Sequence, residues 1–165
     1  MSVAHSGIPD QEEIKRVTPP ADILAKKPSV MVECFQHIPC DPCAASCTFG
    51  AILPFADIND LPQINYDKCI GCGLCIASCP GLAIFVLDMT YSKDKALIKL
   101  PYEMLPLPRP GQLVTALNRE GREVAQTEVI KVQKTKQKTY IISIIVPKEL
   151  ALVVRNIKVK ESLNG

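Results

Sequence analysis

Cys69-Ile70-Gly71-Cys72-Gly73-Leu74-Cys75-Ile76-Ala77-Ser78-Cys79-Pro80 is a C-x2-C-x2-C-x3-C-P run, the spacing of bacterial-type iron–sulfur ligation. Three thiolates on one short loop can each take an iron of a 4Fe–4S cube. The fourth, a helical turn further on, points away and serves a second cube. Gly71 and Gly73 remove side chains where the backbone must wrap a cluster and turn its N–H groups toward sulfur.

A second run stands upstream: Cys34-Phe35-Gln36-His37-Ile38-Pro39-Cys40-Asp41-Pro42-Cys43-Ala44-Ala45-Ser46-Cys47-Thr48, or C-x5-C-x2-C-x3-C. Cys40, Cys43 and Cys47 each precede Cys72, Cys75 and Cys79 by 32 residues. The flanks repeat as well, Ala45-Ser46-Cys47 through Ile52 answering Ala77-Ser78-Cys79 through Ile84. Self-similarity at a fixed offset predicts two equivalent structural units. Only the first spacing differs, and Thr48 stands where the second run has Pro80.

Across residues 30–100 the chain resembles the two-cluster bacterial-type ferredoxins. The resemblance implies two 4Fe–4S clusters with crossed ligation. Cys34, Cys40, Cys43 and Cys79 would hold one, and Cys69, Cys72, Cys75 and Cys47 the other. The lengthened loop leaves two readings of Cys34: a ligand, or a spectator beside a 3Fe–4S cluster or an exchangeable iron. The Ile38-Pro39-Cys40-Asp41-Pro42-Cys43 motif, with a distinct C-terminal stretch, resembles the iron–sulfur subunit of bacterial multi-subunit FAD-dependent amine or imino-acid dehydrogenases. Those complexes oxidise proline, hydroxyproline or related amines. That resemblance implies a flavoprotein partner.

Bulk properties agree with an electron carrier. The 165 residues suit one large or two small domains. No apolar run approaches the ~20 residues that span a bilayer. The opening residues carry no basic segment followed by an apolar stretch, so no secretory signal is expected. With metal spacing and no export signal, the eight cysteines point to the reducing cytoplasm rather than to disulfides. Zinc ribbons use two C-x2-C knuckles, and a four-cysteine run with an x3 step and a following proline fits them poorly.

The expected fold class is α+β, a ferredoxin-like dicluster domain followed by a small β-rich, barrel-like module. Residues 1–29, with Pro9, Pro19, Pro20 and Pro28, read as an extended arm: a tail, or a segment laid over a partner, with a short helix near Asp10–Arg16. Residues 30–100 form the cluster domain, entered by a strand over Val30–Cys34 and left by one over Ala83–Asp88, with an added hairpin to Leu100. Residues 101–111 hold four prolines and read as a stiff linker. Residues 112–165 are rich in β-branched residues, with turns at Arg119–Arg122 and Lys134–Lys138.

Charge divides at the same place. Residues 1–111 hold 9 Lys and Arg against 12 Asp and Glu, and residues 112–165 hold 10 against 5. A basic β module invites a nucleic-acid reading. Its single aromatic, Tyr140, provides no stacking platform, so docking to an acidic partner or to the acidic cluster domain fits better.

The chemistry expected is one-electron transfer, which needs no catalytic residue. Apolar Ile70, Leu74, Ile76, Ala51 and Ile52 are expected to exclude water from the clusters. His37 reads either as a ligand or tuning group or as a solvated loop residue. Asp41 either opposes reduction or faces water. Three functions follow: a relay subunit of a larger flavin-containing oxidoreductase, a freely diffusing ferredoxin, and a catalytic or regulatory protein with a labile cluster. The arm, the linker and the added module favour the first.

Overall fold

The computed structural model describes residues 2–160. In chain order its elements are α1 (Val3–Ser6), α2 (Gln11–Val17), α3 (Ala21–Leu24), β1 (Ser29–Val32), α4 (Pro42–Ser46), α5 (Leu74–Ser78), β2 (Ile84–Asp88), β3 (Lys95–Tyr102), β4 (Leu113–Leu117), β5 (Glu123–Lys134), β6 (Tyr140–Pro147), a 3-10 turn over Lys148–Leu150, and β7 (Asn156–Lys158). The strands form one antiparallel sheet in the order β1-β2-β3-β6-β5-β4-β7.

Strand alternation gives the first three strands two faces, each with its own core. Met31, Phe85, Leu87, Ile98 and Leu100 enter a large core shared with Val114, Val129, Ile142, Ile144 and Ile157. Val30, Val32, Ile84 and Val86 turn to the opposite face, against the cysteine-bearing segments. β1 is therefore buried along its whole length, and it reads as continuously apolar rather than alternating.

The boundary expected at residue 100 falls inside β3. Pro101 and Tyr102 extend that strand and pair with Ile141 and Tyr140 of β6. The C-terminal strands thus continue the sheet of the cluster segment instead of forming a barrel of their own. Within the stretch read as a linker, Tyr102 is buried and its hydroxyl donates to the Pro106 carbonyl at 3.1 Å. Residues 161–165, the end of the stretch read as a β module, lie outside the described residues.

The sheet coils until side chains join its two edges. Glu33, just past β1, accepts from Arg119 Nη2 and from Arg155 Nε, each at 2.6 Å. Arg155 leads into β7, and its guanidinium also lies 4.9 Å from the centroid of Phe85. Burial alone would raise the Glu33 carboxyl, but bonds and charge from Arg119 and Arg155 hold it below its ordinary value. Burial lowers Arg155 to about 10, with Glu33 opposing the fall.

Where the sequence suggests an extended arm, the first 25 residues fold back as three short helices. The capping box at α2 explains how. Glu13 is buried, and its Oε2 accepts from the Asp10 and Val3 amides at 2.9 and 3.0 Å, while the Glu13 amide donates to Asp10 Oδ1. Ile14, Val17 and Leu24 then pack against the large core. Three apolar contacts too widely spaced for a long amphipathic helix suffice for three short ones.

Candidate iron–sulfur centres

The 32-residue repeat of the sequence is a repeat of structure. α4 and α5 are five-residue helices whose bounds differ by 32 positions. Val32 pairs with Ile84, and Ile64 with Ile52. The Glu33 amide donates to the Ala83 carbonyl at 2.8 Å, and Asn65 to Ala51 at 2.7 Å. In each pair, adding 32 to one partner and subtracting 32 from the other gives its counterpart. The two units therefore exchange partners about a local two-fold.

The exchange sorts the thiols. Cys47, Cys69, Cys72 and Cys75 line one hollow with about 350 Å³ of atom-free space. Cys34, Cys40, Cys43 and Cys79 line another of about 370 Å³. Each hollow takes three cysteines from one run and the last cysteine of the other. Among the described residues no three His, Cys, Asp or Glu side chains converge on a single metal ion. The thiols instead surround spaces, as they must around a cube whose corners are separate irons.

The helices place these residues for simple reasons. Pro42 supplies the preset φ of a first helical turn. Gly73 caps α5 with φ +91°. Gly71 has φ +66°, and a Cβ there would stand 2.5 Å from Pro28 Cβ. Only glycine meets both the left-handed backbone and that close approach.

Donor chemistry fits an anionic sulfur set. The Ala51 and Ile52 amides donate to Cys47 Sγ at 3.2 and 3.4 Å, Val30 to Cys69 Sγ at 3.4 Å, and Ala83 to Cys79 Sγ at 3.5 Å. Burial pushes the Cys75 thiol up to about 12, with repulsion from Cys72, Cys69 and Cys47 adding to it. Burial likewise pushes Cys43 up to about 11, with Cys79, Cys40 and Cys34 adding to it. Cys34 and Cys40 are raised by the same causes, burial before repulsion from Cys79. Four thiolates gathered in such a hollow need a cationic guest to offset their mutual repulsion. An iron–sulfur core supplies that charge.

Several expectations meet specific geometry. Cys34 faces its hollow. The 32-residue offset makes His37, not Cys34, the counterpart of Cys69, yet His37 is exposed, with Nδ1 at 3.0 Å from the Asn59 carbonyl. The longer loop thus brings a cysteine from three residues upstream to the hollow lining, while the repeat counterpart of Cys69 stays outside it. Asp41 is exposed. Ile76, Ala51 and Ile52 are buried, whereas Ile70 and Leu74 are 52 and 47% exposed. Lys99 has no signal in the sequence. Its Nζ donates to the Gly71 and Cys72 carbonyls at 2.7 and 3.4 Å, across 28 and 27 residues.

The 4Fe-4S binding domain family matches residues 62–85. That match places a 4Fe-4S binding segment at residues 62–85, which contain Cys69, Cys72, Cys75 and Cys79. Among curated proteins, it is 32% identical over 85 residues to the thiosulfate reductase electron transfer subunit PhsB of Salmonella typhi, covering 52% of this chain and 43% of that one. It is 38% identical over 61 residues to protein NrfC of Escherichia coli, covering 36% and 26%. It is 39% identical over 56 residues to the uncharacterized ferredoxin MJ0265 of Methanocaldococcus jannaschii, covering 34% and 32%. The chain spans less than half the length of these relatives. No solved structure matches it. No helix among the described residues is long and apolar enough to cross a membrane.

Proposed function

We propose that this chain relays electrons through two 4Fe–4S clusters as a subunit of a larger flavin-containing oxidoreductase. The observation that carries the reading is the division of eight thiols into two hollows, four in each, with Cys47 and Cys79 exchanged between the repeats. When bound, each cluster supplies a one-electron couple without making or breaking bonds. The protein's part is to hold four thiolates rigidly, aim amides at sulfur and limit water, so that little reorganises when charge changes. Buried Ala51 and Ile52 wall the Cys72 hollow and buried Val32 and Ile84 the Cys34 hollow, and exposed Cys72 leaves one edge accessible. A subunit role is favoured by the electron transfer subunit PhsB among the relatives. A flavoprotein partner oxidising an amine or imino acid rests on the Ile38–Cys43 motif.

Anaerobic purification with iron, sulfide and flavin analysis, followed by EPR of the dithionite-reduced protein, tests this reading. About eight irons and eight sulfides with a spin-coupled reduced spectrum are expected. Four irons, or zinc, would overturn the two-cluster assignment. Cys34→Ser adds a finer test. If Cys34 is a ligand, the substitution removes one iron from one site and leaves the other unchanged.

A further inference from the structure

The two hollows open onto surfaces of opposite charge. Residues 28–67, which contribute most of the Cys34 hollow, contain no Lys or Arg and, besides the buried and arginine-paired Glu33, four acidic residues. Asp60 lines that hollow, and Asp41 and Asp57 are exposed. The Cys72 side differs. Register places Lys99, Ser143 and Lys131 in one row across β3, β6 and β5. Residues paired this way share a face of the sheet. On that same face Ile141 lies against Gly73, 3.8 Å from where a Cβ would stand. β6 starts one residue before Ile141, so the turn of the β5–β6 hairpin, with exposed Lys136 and Lys138, projects beside the Cys72–Gly73 turn. Glu103 is tied to Thr139 Oγ1 at the base of that hairpin.

The centre of this basic surface is apolar. Phe49, Ile70 and Leu74 all line the Cys72 hollow and are 46, 52 and 47% exposed. Cys72 is the one exposed cysteine of the eight. Apolar side chains around an accessible ligand, fringed by charge of one sign, are the anatomy of a transient redox interface.

We propose that the Cys72 face is the docking surface for an acidic redox partner protein. Its apolar patch would cover Phe49, Ile70 and Leu74, and its carboxylates would meet Lys131 and the lysines at the turn of the β5–β6 hairpin. The inference rests on the two-cluster relay reading and assigns a partner chemistry to one of its two ends. The acidic Cys34 end would then meet a partner of the opposite charge.

The test uses the holoprotein, reduced anaerobically, and two protein acceptors in stopped flow: an acidic flavodoxin and the basic cytochrome c. One electron leaves the reduced protein for each acceptor. In flavodoxin it enters the oxidised flavin, which takes a proton from solvent, and in cytochrome c it enters the ferric haem. The triple variant Lys131→Glu/Lys136→Glu/Lys138→Glu changes exposed residues only, and its iron content and melting temperature check that it folds. At low ionic strength it should reduce flavodoxin at least about tenfold more slowly than wild type, the difference shrinking toward about twofold above 0.5 M salt. Cytochrome c reduction should be unchanged or faster. Ile70→Asp should slow flavodoxin reduction at both salt concentrations. Equal flavodoxin rates for wild type and triple variant would overturn the docking surface and leave the relay reading standing. Reduction of neither acceptor by the wild type would overturn both.

Discussion

The two cysteine hollows are built from the same 32-residue pattern and differ in what surrounds it. Both have a five-residue helix after the second cysteine, an amide donating to the last cysteine, and a buried wall. The Cys34 hollow sits under an enlarged loop, with acidic residues nearby. The Cys72 hollow has a glycine-tight loop, a lysine at its carbonyls and an exposed cysteine. The comparison teaches that ligation geometry comes from the repeat, whereas access and local charge come from what was added to it.

On the proposed two-cluster reading, removing iron breaks the comparison most severely, because both hollows would lose their guest. The second core contains the buried thiols Cys43, Cys69 and Cys75, while the large core contains none. Chelating iron under denaturant-free conditions should abolish amide-exchange protection over residues 34–83 and largely retain it in β3, β5 and β6. Uniform loss across the chain would show that the sheet has no stability of its own.

Next in size is the ion cluster joining the sheet edges. Glu33, Arg119 and Arg155 are at most 13% exposed at their side chains, so removing the carboxylate strands two buried cations. Glu33→Gln should cost about 3–5 kcal/mol. The sign with pH follows from the depressed carboxyl. Its stabilisation is full above the ordinary value of 4.5 and is lost as pH falls through the lower folded value. The stability gap between wild type and Glu33→Gln should therefore be constant near neutrality and close below about pH 4.5. A gap that does not narrow at all as pH falls below 4.5 would refute the assignment.

Glycine substitutions sharpen the contrast between the repeats at smaller scale. Gly71→Ala forces a side chain into the left-handed region and onto Pro28. A loss of about 1–3 kcal/mol from backbone strain alone is expected, with the clash adding to it. Gly50 has a similar φ of +63°, but a Cβ there meets nothing within 4 Å. Its repeat counterpart, Leu82, carries a full side chain at φ +52°. Gly50→Ala should cost measurably less in thermal denaturation of the holoprotein.

What the sequence revealed was whatever the chemistry of one segment dictates. The strands entering and leaving the hollows were legible, because β-branched runs stood between turn residues. So was the pairing of Cys40, Cys43 and Cys47 with Cys72, Cys75 and Cys79, because a fixed offset is a linear property. The continuity of the sheet through residues 101 and 102 was hidden, since Pro101 looks like a linker residue and here pairs with Ile141. Glu33 meets Arg119 and Arg155 across 86 and 122 residues, a distance at which no periodicity carries information. The helical arm was obscured by its prolines, which separate three helices that only the core holds in place.

The smallest effect isolates the charge difference between the hollows. Lys99 holds its ammonium on the Gly71 and Cys72 carbonyls, with its stem packed 3.7 Å from the Cβ position of Gly73. A cation fixed there favours the more negative, reduced state of the adjacent site. Lys99→Gln keeps a donor for the carbonyls and deletes only the charge, so the potential of that site should fall. Solvent screening at this half-exposed position limits the fall to at most about 59 mV, a tenfold change in a one-electron equilibrium. EPR-monitored titration resolves the two sites separately. The Cys34 site should not move, because Lys99 touches no residue of that hollow. An equal shift at both would mean that Lys99 acts through the general field of the protein, and that the two sites are set apart by loop geometry alone.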